Sequence, residues 1–130
     1  MNPSDYIADL QRLLQSNPHI FWHHLETEFR GESFLYLFGS VEFLQGTTLD
    51  FKEFLEFLPS QIDKYMYAYN YRLRETVIFR YDNAPDPRAK HLPSYPAHKH
   101  EGQVVLASPS VDLPFVITEI LRHISESPRG

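Results

Sequence analysis

Cysteine is absent from the chain, and that one absence removes disulfides, thiolate metal sites and a thiol nucleophile together. It is compatible with a reducing cytoplasm. No apolar stretch approaches the roughly 18 residues of a membrane span, and the start Met1-Asn2-Pro3-Ser4-Asp5 has no basic region leading into an apolar run. A soluble cytoplasmic protein without membrane contact is therefore expected. A phosphate-binding glycine loop, a Gly-x-Ser-x-Gly elbow and a His-Glu-x-x-His helix are all missing. Neither an internal repeat nor a low-complexity tract divides the 130 residues, so one domain over 1–130 is expected.

What is present is aromatic: 15% of the chain is Phe, Trp or Tyr, within an otherwise ordinary 42% hydrophobic and 22% charged composition that excludes disorder. The net charge of −5 argues against bulk attraction to nucleic acid. Its distribution points elsewhere. Met1 to Asp63 carries three Lys/Arg against ten Asp/Glu, Lys64 to His100 carries seven against three, and the remainder carries two against four. The middle segment is thus the basic one, and His91, His98 and His100 add charge there as pH falls through the imidazole range near 6.5. An anionic ligand is expected on that segment, the plain alternative being a solvated loop.

Periodicity supplies the elements. Tyr6, Ile7, Leu10, Leu13 and Leu14 recur at helical spacing from Asp5 to Ser16, and Asn17-Pro18 ends that helix. His19 to Arg30 reads as extended, Ser33 to Leu44 and Thr47 to Phe57 as strands joined at Gln45-Gly46, the latter with Leu49, Phe51, Glu53 and Leu55 on one face. Lys64 to Arg72 places Tyr65, Tyr67, Tyr69 and Tyr71 at every second position, which puts four tyrosines on one face of a strand. After a turn at Leu73-Arg74-Glu75, Thr76 to Asp82 alternates so that Arg80 and Asp82 share a face. Pro85, Pro87, Pro93 and Pro96 make Asn83 to Ala97 a long loop, of the kind that carries function. His98 to Ala107 reads as one final strand, followed by a helix capped by Ser110 or Asp112 with Pro114 in its first turn, and Ser125 to Gly130 as a frayed tail. The expected class is α+β: an antiparallel β-meander with an N-terminal and a C-terminal helix packed on one face.

Chemistry concentrates between Arg80 and His100. In an extended segment His98 and His100 point the same way, and two imidazoles can divide proton abstraction and donation while Arg80 stabilises charge developing on a phosphate. That is a kit for cleaving RNA without a metal or other cofactor. Lys99, Tyr69, Tyr81, Asp82, Asn83 and His91 are the accompanying substrate-binding candidates. Three alternatives stand beside this reading. His98 and His100, with His91 or Asp82, have the donor types of a divalent metal site; Asp82-Asn83 also suits a strand-end Asx turn; and the tyrosines either stack unpaired bases or pack beneath a helix. His19, His23, His24 and His123 receive no role.

The order of motifs adds a resemblance. Gly46-Thr47-Thr48-Leu49-Asp50-Phe51-Lys52-Glu53-Phe54, Tyr67-Ala68-Tyr69-Asn70-Tyr71-Arg72, Ile78-Phe79-Arg80-Tyr81-Asp82-Asn83-Ala84-Pro85 and Pro96-Ala97-His98-Lys99-His100-Glu101-Gly102 together resemble the TumE-type toxin family of bacterial toxin-antitoxin systems, over roughly residues 33 to 124. The resemblance implies a cytoplasmic toxin held inactive by a cognate antitoxin, typically a helix-turn-helix DNA-binding protein. Ribonuclease action is inferred from the residues, with a non-catalytic RNA- or protein-binding module as alternative and a metal-dependent enzyme third. Two positions depart from the family pattern, which usually has histidine where this chain has Asp86 and often where it has Ala97. Those losses weaken a metal site more than a His98/His100 acid-base pair.

Overall fold

A computed structural model describes residues 1–126. Among them are two α-helices, α1 (Pro3–Gln15) and α2 (Leu113–Glu126), and seven strands: β1 (Ile20–Arg30), β2 (Phe34–Phe43), β3 (Thr47–Phe57), β4 (Ile62–Leu73), β5 (Thr76–Asp82), β6 (His98–Glu101) and β7 (Val104–Ala107). A short 3-10 turn, Pro87–Ala89, lies in the proline-rich loop. The strands stand in chain order in one sheet, each antiparallel to the next. This is the expected α+β meander. No helix among the described residues is long and apolar enough to cross a membrane.

Both helices start where side chains satisfy their free N–H groups. The Asn2 Oδ1 accepts from the Asp5 N–H at 2.9 Å, and Asp112 Oδ1 accepts from the Phe115 N–H at 2.9 Å. Their apolar stripes, Leu10 and Leu14 on α1 and Leu113, Val116, Ile117 and Ile120 on α2, bury against the same side of the sheet. Each such side chain stabilises the fold by roughly 1.5–3 kcal/mol. Strand β3 shows the alternation most clearly, with Leu49, Phe51, Glu53 and Leu55 buried and Asp50, Lys52 and Phe54 turned to the other face. Among the described residues no helix lies on that other face.

Glu53 is a carboxylate in this core. It accepts from the Tyr6 hydroxyl at 2.5 Å and from the Tyr69 hydroxyl, with the Lys64 ammonium 3.4 Å away, so a buried charge is paired and hydrogen-bonded as burial requires. Burial, reinforced by the Glu53 charge, pushes both tyrosine hydroxyls well above their ordinary range. Gly39 answers a different constraint: a Cβ there would meet the His24 carbonyl oxygen at 2.0 Å, so only glycine lets β1 and β2 pair so closely.

Three expectations change. The register of β3 against β4 shifts between Phe54 and Leu55, leaving Tyr65 as an extra residue. Tyr67, Tyr69 and Tyr71 remain on the buried face, but Tyr65 leaves the ladder, is 53% exposed, and packs on Phe34 and Phe54. The segment His98 to Ala107 is a hairpin and not one strand, because Gly102, at φ 61°, lets the chain reverse between β6 and β7. Finally, Ser125 and Glu126 belong to α2, and the rest of the expected tail, 127–130, lies outside the described residues.

Candidate functional site

Pairing across the sheet decides what the uncovered face presents. In the register, Asp82 stands opposite His98, and Arg80 opposite His100. Side chains of paired residues lie on the same face, so alternation within each strand and pairing between them gather all four side chains. The loop between the two strands, Asn83 to Ala97, returns over this end of the face. Its 3-10 turn packs on β7 with Ala89 fully buried, and Ser94 ties it down by accepting from the Ser108 N–H at 3.0 Å and donating to the Ala97 carbonyl at 2.6 Å.

Within the cluster, His98 is 1% exposed and fully engaged. Its Nδ1 lies 2.7 Å from the Pro96 carbonyl, an acceptor only, so the proton sits on Nδ1 and Nε2 turns inward. That Nε2 lies 2.9 Å from His100 Nε2 and 3.2 Å from Asp82 Oδ1. Asp82 is itself held in place: Arg80 Nε donates to its Oδ2 at 2.8 Å and the Ala84 N–H to its Oδ1 at 3.0 Å. The second contact is the Asx turn at the strand end, so Asp82 both shapes the loop and faces the histidines. His100 keeps part of its surface free, and burial followed by the neighbouring His98 pushes its imidazole below the ordinary range. The two histidines thus point the same way as expected, but they meet each other, and only His100 and Arg80 reach the surface.

The other candidates lie elsewhere, and the period of two explains it. Lys99 falls between the two histidines and so points to the helix-covered side. There its ammonium contacts Glu119 at 2.8 Å and Glu101 at 3.0 Å and lies over the Phe79 and Tyr81 rings. Burial alone would lower its pKa, but the Glu119 and Glu101 carboxylates hold it above the ordinary value. Tyr69 and Tyr81 are buried on that same side, Tyr81 donating to Glu119 at 2.5 Å; burial and then Glu119 push its hydroxyl up to about 12. The tyrosines therefore pack beneath helices. Asn83 replaces ladder bonds at the β4 bulge, its Oδ1 accepting from the Tyr67 N–H and its Nδ2 donating to the Tyr65 carbonyl, both at 3.1 Å. His91 is exposed and joins none of the cluster's contacts.

Two features escaped the sequence reading. The first is Asp86, noted only as a missing histidine: its Oδ2 lies 3.8 Å from His100 Nε2, and Arg88 holds it by a 2.9 Å contact that lowers its pKa to about 2. The second is a groove of about 360 Å³ beside Arg80, lined on the open face by Tyr36, Phe38, Asp50, Lys52, Ala68 and Asn70. Phe38, Lys52, Ala68, Asp82 and His98 form one continuous cross-strand row, so the groove and the cluster are neighbours on the same face. Asp50 adds no free charge, since Arg72 Nε donates to it at 2.6 Å and Ser40 Oγ at 2.7 Å. The even-numbered aromatics of β2 were the available signal, but alternation alone could not say which side the helices would cover.

A family model described as toxin TumE matches residues 10–128. Comparison with curated proteins gave no match, and comparison with solved structures gave none.

Proposed function

This chain belongs to the TumE toxin family, and on that premise we propose that it binds RNA on its open sheet face and breaks the phosphodiester backbone there. The observation that carries this reading is the assembly of Arg80, Asp82, His98 and His100 at the end of an uncovered groove that also offers aromatic rings and Lys52. Arg80 Nε is committed to Asp82, which leaves the guanidinium's terminal N–H groups to meet a phosphate, while the Asp82–His98–His100 cluster activates the attacking oxygen. Tyr36 and Phe38 stack unpaired bases, and Lys52 meets the backbone between them and the cluster. The target is single-stranded RNA in the cytoplasm, and the partner that restrains the toxin is an antitoxin carrying a helix-turn-helix DNA-binding domain.

Expression of the chain alone in bacteria, followed by assay of the purified protein on single-stranded RNA, tests the proposal. Growth arrest and cleavage are expected, and Arg80→Ala should relieve the arrest and slow cleavage by a factor on the order of 10²–10³. Unimpeded growth with abundant folded protein would contradict toxic action. RNA binding without cleavage under any condition would leave a non-catalytic binding module in its place.

A further inference from the structure

We propose that Asp82, His98 and His100 bind one divalent transition-metal ion, with zinc the best fit, and that this ion is what activates the attacking oxygen. The inference deepens the functional reading above and rests on it only for the use of the ion, not for its binding.

The argument begins with donors and acceptors. His98 Nε2, His100 Nε2 and an Asp82 oxygen all lie within 4.8 Å of one another. Because His98 Nδ1 donates to the Pro96 carbonyl, the neutral imidazole, which is the form that ligates a metal, turns the lone pair of its Nε2 toward the Asp82 carboxylate at 3.2 Å and the second imidazole at 2.9 Å. Three electron-rich atoms therefore converge, and a carboxylate carries no proton to donate. Arg80 does not relieve this, since its Nε binds Oδ2 while the His98 contact is to Oδ1. A single proton placed among them joins only one pair. A divalent cation satisfies all three at once.

The surroundings are those of metal ligands. A ligating histidine ordinarily donates its far N–H to a carbonyl or carboxylate, and a ligating carboxylate is ordinarily hydrogen-bonded in turn. Here Pro96 supplies the carbonyl, and Arg80 Nε and the Ala84 N–H hold the carboxylate at 2.8 and 3.0 Å. All three ligands stand on adjacent paired strands, where the ladder holds their positions. Zinc bonds of about 2.0–2.1 Å in a tetrahedral site place ligand atoms roughly 3.3 Å apart. The 2.9 and 3.2 Å separations differ from that by only tenths of an ångström, and the other Asp82 oxygen, Oδ2, lies 3.9 Å from His100 Nε2. Two imidazoles and one carboxylate leave the fourth position to water or a phosphate oxygen, the arrangement of an open catalytic site. Asp86, tethered to Arg88, lies 3.8 Å from His100 Nε2 and adds negative charge next to the three ligands.

The test uses the full chain, stripped with a chelator and dialysed against zinc chloride or cobalt chloride. One ion per chain is expected, with a thermal midpoint that rises with zinc concentration and, for cobalt, the visible absorption of a low-symmetry site. His100→Ala and Asp82→Asn, each checked by circular dichroism, should weaken binding by at least about tenfold, while His23→Ala, outside the cluster, should bind as the parent does. Should buried His98 prove necessary for folding, those two variants still decide the matter. Absence of saturable binding by the folded parent, or unchanged stoichiometry and affinity in His100→Ala and Asp82→Asn, overturns the site. None of these readouts contains RNA. Zinc binding without RNA cleavage would therefore sink the ribonuclease reading and leave the site standing, whereas cleavage by protein that binds no metal would do the reverse.

Discussion

Lys99 and His100 are adjacent in the chain and work on opposite sides of the sheet. The Lys99 ammonium lies 2.8 Å from Glu119 beneath α2, while His100 Nε2 lies 2.9 Å from His98 Nε2 on the uncovered face. The run His98-Lys99-His100 is therefore one structural clamp between two parts of a site, and its three members should respond differently to substitution.

Lys99→Met should lower stability by about 1–3 kcal/mol, because it leaves Glu119 half-buried without its cation and removes a charge from over two aromatic rings. RNA affinity and its salt dependence should stay as in the parent. A fall of about one in the slope of log affinity against log salt would show instead that Lys99 meets a phosphate.

His98→Ala and His100→Ala should separate into a folding defect and an activity defect. Removing buried His98 strips the Pro96 carbonyl of its donor, at roughly 1–3 kcal/mol for a buried polar group left unsatisfied, and empties the space of a buried ring. His100 has surface exposed, so its loss should cost less than that in urea unfolding and yet abolish cleavage. Equal destabilisation by the two, with cleavage retained in His100→Ala, would remove His100 from the site.

Phe38→Ala should weaken binding of single-stranded RNA without changing the cleavage rate at saturation. The ring is 37% exposed in the groove, and stacking of one base on such a ring contributes about 1–3 kcal/mol, or roughly 5- to 150-fold in affinity. Titration of a fluorescent oligonucleotide checks this. Unchanged affinity would place the RNA elsewhere.

Stability should decline in alkali through Tyr6 and Tyr69. Their hydroxyls are held protonated in the fold by burial and by Glu53, whereas in the unfolded chain they ionise near pH 10. Above that pH the unfolded state binds fewer protons, so each buried tyrosine removes about 1.4 kcal/mol per pH unit. Urea unfolding on either side of pH 10 measures the slope, and Tyr69→Phe should make it shallower by about one proton. A slope unaffected by that substitution would mean that Tyr69 is not the group resisting ionisation.

Much of this architecture was legible from local pattern. Strands β3 and β5 end where the alternation and flanking turns placed them, and α2 begins at the Asp112 cap ahead of Pro114. Period two by itself also puts Arg80 with Asp82, and His98 with His100. The misreadings share a cause. A bulge moved Tyr65 out of its ladder, and Gly102 turned one expected strand into a hairpin, because a single inserted or left-handed residue changes direction without much changing the hydrophobic pattern.

Alternation in the sequence determined which residues of each strand share a face, since that depends only on the backbone pleat within the strand. It could not relate one strand's faces to another's, because sliding a strand by one residue exchanges all its side chains between the two sides. That register came from the β5–β6 pairing, which brings Arg80 opposite His100 and Asp82 opposite His98 across the whole intervening loop. The helices then decided the rest. By burying Tyr69 and Tyr81 and drawing Lys99 to Glu119, they left the opposite face, with its groove and its paired histidines, as the one open to a ligand.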